Sequence, residues 1–142
     1  MTNARVYQLF VYGSLRSGFR SPAYEYISRF FTFIAEARVR GILYDLGEYP
    51  AAVPSGEDRF IIGELYSIKN ESEFSWAIGQ LDDYEGVTAE DDEEKLYYRD
   101  LAEVLINDSA VTSAWMYWYN GDVSGRPQIE SGDVLQYIRD KK

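Results

Sequence analysis

The chain has neither cysteine nor histidine among its 142 residues. Without thiols there can be no disulfide, thiolate nucleophile or thiolate metal site. Without imidazole there can be no Ser-His-Asp triad, histidine base or histidine metal ligand. Acid–base chemistry then falls to carboxylates, tyrosines or lysines. Positive charge is also scarce. Lys and Arg total 14 against 24 Asp and Glu, a formal net charge of −10. That balance repels a phosphate backbone, so nucleic acid is not an expected partner. No apolar run approaches the ~20 residues that span a bilayer. The opening residues MTNARVYQLF lack the apolar stretch of a secretory signal. These absences predict a cytoplasmic protein that does not engage a membrane.

What is present argues for a folded domain. Hydrophobic residues make up 46% and aromatics 16%, too much apolar surface for a disordered chain. A chain of this length buries roughly 68–70% of its unfolded surface and fits one domain, residues 1–142. Tyrosine occurs 13 times, so the core can carry hydroxyls into a polar cavity.

Residues 5–13 (RVYQLFVYG) read as a buried strand ending at glycine. SPAYEYISRFFTFIAEA follows as a helix, with Ser21 and Pro22 suited to its start and Tyr26, Phe30 and Phe33 at helical spacing. Residues 38–47 read as a second strand, EYPAAVPSGEDR as a loop, and residues 60–68 as a third strand. Gly63 inside that strand predicts a bulge or a close backbone approach. Residues 70–86 read as a helix capped by Asn70 or Ser72, its apolar stripe being Phe74, Ala77, Ile78 and Leu81. Two more strands, LYYRDLAEVLI and VTSAWMYWYN, form a hairpin through NDSA. A Gly-rich linker and a short final helix complete the chain. Strands interspersed with a few helices predict an α+β domain built on a mixed β-barrel, closed or strongly curved, with flanking helices.

Two stretches point to chemistry. The first is FVYGSLRSGFR, residues 10–20. Its glycines have the spacing of a phosphate-binding loop. That loop needs Lys and then Ser or Thr after the second glycine, and here Phe19 and Arg20 stand there. Two readings remain open. One is a nest of backbone N–H groups that holds an oxygen bearing negative charge. The other is a plain strand-to-helix turn with Gly13 supplying its backbone angle.

The second stretch is IGQLDDYEG. Continuing the helical stripe past Leu81 brings Tyr84 and Glu85 to or beside the core face and leaves Asp82 and Asp83 on the flanks. Burial and the negative helix end would both raise the pKa of Glu85 and make it a better base. Gly86 suits the position that ends the helix. The alternative is a last-turn glutamate that reaches water.

In order along the chain, the motifs resemble the γ-glutamylcyclotransferase-like family, which includes γ-glutamylamine cyclotransferases and avirulence-induced-gene-like proteins. They are VYGSL (11–15) followed by Arg16; Gly41, Leu43, Tyr44 and Pro50; GELY (63–66); LDDYEG (81–86); YYR, with Tyr98 as the match; AWMY (114–117); and SGD (131–133). The resemblance implies a barrel-like α+β fold with a central cavity. It also implies cleavage of a γ-glutamyl amide, a small molecule, to 5-oxoproline and a free amine, with no cofactor and no metal. The catalytic glutamate then falls on Glu85 and the substrate loop on Tyr12, Gly13, Ser14 and Leu15. Tyr98 and Tyr117 would offer hydrogen bonds to substrate, or else serve as ordinary core aromatics. Arg16 and Arg99 are candidates for a substrate carboxylate or for surface pairing with acids of little energetic weight; Arg99 is left out of the site.

A non-catalytic module that binds a small metabolite on the same fold is the competing reading. The run Glu90, Asp91, Asp92, Glu93 and Glu94 is either a solvated surface or a filter against acidic substrates. The amine portion of the substrate and the oligomeric state are not encoded in any motif.

Overall fold

The first strand is short and almost wholly apolar: β1 (Gln8–Val11), with Leu9, Phe10 and Val11 buried. The computed structural model describes residues 6–12, 22–46, 50–85, 97–106, 111–119, 121–134 and 137, with backbone alone at 22–24 and 83–85. After β1 come α1 (Pro22–Phe30), β2 (Phe31–Arg40), β3 (Ile42–Asp45), β4 (Pro50–Val53) and β5 (Phe60–Ile68). A single 3₁₀ turn (Glu71–Glu73) leads into α2 (Phe74–Glu85), followed by β6 (Tyr97–Leu105), β7 (Val111–Tyr119) and β8 (Gln128–Ile129).

Five strands close into a barrel in the order β1-β5-β2-β6-β7, and β4-β3-β8 form a separate three-stranded sheet. The molecule is thus α+β with a closed mixed barrel. The mixture is forced by arithmetic. An odd ring of strands cannot alternate in direction all the way round, so at least one neighbouring pair must be parallel. Here that pair is β1 and β7, in register at Leu9 and Trp115. Three side-chain bonds brace this seam. The Trp115 indole N–H donates to the Val6 carbonyl (2.9 Å), Thr112 Oγ1 to Gln8 Oε1 (2.9 Å), and Tyr12 Oη to the Tyr117 carbonyl (2.6 Å).

Side chains that alternate along the barrel strands divide into two apolar clusters. One contains Leu9, Val11, Tyr66, Ile68, Tyr97 and Tyr117 and is covered by Ile27 of α1 and by Phe74, Ala77, Ile78 and Leu81 of α2. The other contains Phe10, Tyr12, Leu65, Val104, Met116 and Trp118 and receives Leu43, Ala52 and Ile129 from the small sheet. Among the described residues no helix is long and apolar enough to cross a membrane.

Several expectations are met. β5 occupies the predicted residues 60–68, and β6 pairs antiparallel with β7 from Tyr97↔Tyr119 to Leu105↔Val111. Gly63 marks a close approach: a Cβ there would collide with the Val11 carbonyl and come within 2.6 Å of the Phe10 ring. The register irregularity lies elsewhere, in β2 between Phe33 and Ala35.

Four expectations are corrected. The helix begun at residue 22 stops at Phe30, and residues 31–37 belong to a strand. Phe33 is 49% exposed, not part of a helical core stripe. Pairing of β2 with β5 along nearly its whole length outweighs the local spacing. The predicted second strand is broken at Gly41, with the barrel strand before it and β3 after it. The expected loop contains β4, and the expected linker contains β8; both are held by pairing to β3, which local sequence does not signal.

The crowding at Gly63 makes a prediction. Gly63→Ala should cost about 1–3 kcal/mol, as overpacked cores do. Gly79→Ala, where an added Cβ meets nothing within 4 Å in the middle of α2, should raise stability by about 0.4–1 kcal/mol. Thermal melts of the two variants should therefore move in opposite directions.

Candidate active site

The helical segment begins at the predicted cap, but as a 3₁₀ turn (Glu71–Glu73), with α2 itself starting at Phe74. The Asn70 side chain accepts from the Ser72 backbone N–H (3.1 Å), capping the turn that opens the helix. Phe74, Ala77, Ile78 and Leu81 are buried against the barrel. The helix runs to Glu85, the predicted general base, which is its final residue.

Asp82 departs from expectation. It is 7% exposed, not on a flank. The reason lies in the width of the stripe. Ile78 is a core residue, and the position four further on lies on the same face. Its burial is matched by its partners. Arg99 Nε donates to Asp82 Oδ1 at 2.7 Å and Arg99 Nη2 to Oδ2 at 3.0 Å, a bidentate pair. Tyr117 Oη donates to Asp82 Oδ1 at 2.8 Å. The Arg99 guanidinium also lies 4.7 Å from the Trp115 ring centroid. Arg99 is therefore held in a bidentate, partly buried pair and not in the loose surface pairing expected of it.

These contacts join three elements at one level. Tyr117 and Arg99 face each other across β7 and β6. Tyr12, one residue beyond β1, donates its hydroxyl to the Tyr117 carbonyl. Tyr117 thus links two contacts, its backbone carbonyl accepting from Tyr12 and its hydroxyl, at the far end of the ring, donating to Asp82 on the last turn of α2, which Arg99 of β6 also holds.

Of the predicted site residues, Tyr12 and Tyr117 are brought together, both buried. Tyr117 directs its hydroxyl proton at Asp82. Tyr98 is half-buried and packs against the cluster that holds Tyr12. Its neighbour Tyr97 belongs to the cluster with Tyr117 and donates to the Pro50 carbonyl at 2.7 Å. Glu85 is placed by its backbone, three residues beyond Asp82 in the same helix. Gly13, Ser14 and Leu15 follow directly on Tyr12 and lie outside the described residues, as do Arg16, Gly86 and the acidic run 90–94.

Sequence reasoning quoted Glu64 within the GELY motif and gave it no role of its own. It is 4% exposed and accepts from Tyr66 Oη at 2.9 Å. β5 sets it opposite Val11, at the point where β1 ends. The signal was a single charged residue inside an otherwise apolar strand, FIIGELYSI. An open polar groove of about 410 Å³ occupies the opposite end of the β1–β7 seam, lined by Gln8, Ser67, Glu71, Thr112 and Ser113 among others.

The model of the family described as "Gamma-glutamyl cyclotransferase, AIG2-like" matches residues 9–136. The chain belongs to this family. Over 99 residues it is 37% identical to the "Gamma-glutamylcyclotransferase family protein YtfP" of Escherichia coli, covering 70% of each chain. The solution structure of ytfP from Escherichia coli aligns at 31% identity with a TM-score of 0.60, covering 92% of this chain and 98% of that one. YkqA from Bacillus subtilis gives a TM-score of 0.66 at 26% identity. It covers 95% of this chain, which spans 42% of YkqA. An aig2-like protein from Mus musculus gives a TM-score of 0.65 at 21% identity, a likeness of fold alone. The stretch matched to the γ-glutamyl cyclotransferase family takes in Tyr12, Asp82, Glu85, Arg99 and Tyr117 together.

The bond from Tyr117 to Asp82 is open to direct measurement. Tyr117→Phe removes one donor from a buried carboxylate and should cost about 1–3 kcal/mol. Urea denaturation should show a lower midpoint with an unchanged slope. An unchanged midpoint would show that the hydroxyl contributes nothing to the pair.

Proposed function

We propose that this protein is a γ-glutamyl cyclotransferase that converts a γ-glutamyl amide to 5-oxoproline and a free amine, with Glu85 as general acid and base. Family membership supports the reaction class. The observation that carries the choice of residue is the course of α2. It terminates at Glu85, and its last turn is tied through Asp82 and Tyr117 to Tyr12, from which the candidate substrate loop continues.

The chemistry is compatible with that set of groups. The substrate's α-amine attacks its own γ-carbonyl, so nucleophile and electrophile belong to one molecule. A new C–N bond closes the five-membered lactam and the original amide C–N bond breaks. Two protons leave the attacking nitrogen and two arrive on the departing amine. One carboxylate can carry both in turn. Holding the curled conformer supplies most of the advantage, since proximity in such reactions is worth roughly 7–11 kcal/mol. Backbone N–H groups of Gly13, Ser14 and Leu15 are assigned to the tetrahedral oxyanion. Tyr12 and Tyr98, which share one apolar cluster, are assigned to the wall around the γ-glutamyl group, while Tyr117 lies in the other cluster and spends its hydroxyl on Asp82. The C-terminal end of a helix carries partial negative charge, which strengthens a carboxylate base placed there.

The test is release of 5-oxoproline from a panel of γ-glutamyl amides by wild type and Glu85→Gln. Wild type should turn over at least one member, and the variant should fall by 10²-fold or more. The preferred member identifies the amine. Binding without turnover by wild type would favour the metabolite-binding module. Full turnover by Glu85→Gln would keep the reaction and remove Glu85 from it.

A further inference from the structure

We infer that Asp82 and Arg99 form a positioning pair that sets the last turn of α2, and with it Glu85, against the end of β1. This deepens the reading of Glu85 as the base and rests on it.

The argument starts from where α2 is secured. Among the described side chains, its last apolar contact with the barrel is made by Leu81. The final turn has no basic residue of its own to interact with its negative end. The last carbonyls of a helix have no intrahelical donors, and such ends fray. Yet Glu85 sits in that turn. Arg99 supplies what the helix lacks. It reaches from β6, grips both oxygens of Asp82 with its planar fork, and lies over the Trp115 ring of β7. Tyr117 adds a third bond to the same carboxylate. The turn is thereby fixed in distance and in rotation, which one point contact would not achieve.

Stability is a poor explanation for the pair. Two apolar side chains of similar volume would hold the helix to the barrel at least as well, since a partly buried ion pair loses much of its attraction to desolvation. What apolar contacts do not supply is a directional, bidentate register. A general base needs that register, because misplacement by about 1 Å can cost 10²-fold in rate.

The experiment measures kcat, KM and Tm with the best γ-glutamyl amide of the panel, at temperatures well below melting. Asp82→Asn breaks the charge pair. Arg99→Lys keeps the charge and loses the fork. The double variant Asp82→Leu with Arg99→Met leaves no unpaired buried charge and should stay folded at the assay temperature, its Tm lowered by no more than loss of the Tyr117 bond costs. All three should lose about 10–100-fold in kcat with KM within about threefold, and the double variant should be stable and slow together.

A stable double variant with kcat within twofold of wild type would overturn the inference, as would a loss in Asp82→Asn and Arg99→Lys that appears in KM rather than kcat. Glu85→Gln in the same assay separates the two failures. If it is inactive while the double variant is fast, only the positioning role fails. If it turns over like wild type, or if wild type turns over no γ-glutamyl amide, the reading of the site fails and this inference falls with it.

Discussion

The parallel contact between β1 and β7 is the constraint on which the rest depends. Four of the five neighbouring pairs in the barrel run antiparallel, and the odd strand number leaves one place where two strands must run the same way. The chain places that seam between its first strand and the last strand of the barrel, then braces it with bonds from Trp115, Thr112 and Tyr12. Because both strands run in one direction, their ends coincide. Tyr12 and Tyr117 therefore meet at one rim, and α2 arrives there from the barrel's covered side.

Around that rim polar groups are buried at some cost and each is answered. Asp82 has a fork and a hydroxyl. Glu64 has the Tyr66 hydroxyl. Tyr97 reaches across to Pro50 of the small sheet. The abundance of tyrosine in the sequence gains a physical meaning here. The rings fill apolar clusters while the hydroxyls supply donors to carboxylates and carbonyls that would otherwise be desolvated without partners. A phenylalanine-rich barrel of the same volume would pack equally well and could not hold these acids.

The long periodic elements were legible in the sequence because their patterns are local. β5, the β6–β7 hairpin and α2 all follow from alternation, helical stripes and an Asn cap. Elements decided by distant partners were not. Pro50–Val53 and Gln128–Ile129 have little strand character of their own and are made strands by β3. Phe33 keeps helical spacing with Tyr26 and Phe30 although the chain has already entered β2. In the candidate site, Glu85 and the loop after Tyr12 came from motif and pattern. The roles of Asp82 and Arg99 did not, because a stripe four positions wide admits one more residue than the narrow stripe assumed, and the pairing partner lies on another element. Glu64 was visible as a lone charge in an apolar strand, but nothing local said which group would meet it.

The seam also dictates an order of events. Tyr12 and Tyr117 are separated by 105 residues in sequence and bonded in space. Contacts of that separation form late, after the entropy of closing the intervening chain has been lost. A ribosome that has released β1, β5 and α2 has still not supplied the strand that completes the ring. Until β7 emerges, β1 presents an apolar edge with no neighbour on one side, the kind of edge that recruits other chains. Biosynthesis of this protein thus leaves its candidate site unassembled until β7 has emerged, and the interval before closure is when it is most exposed to misassembly.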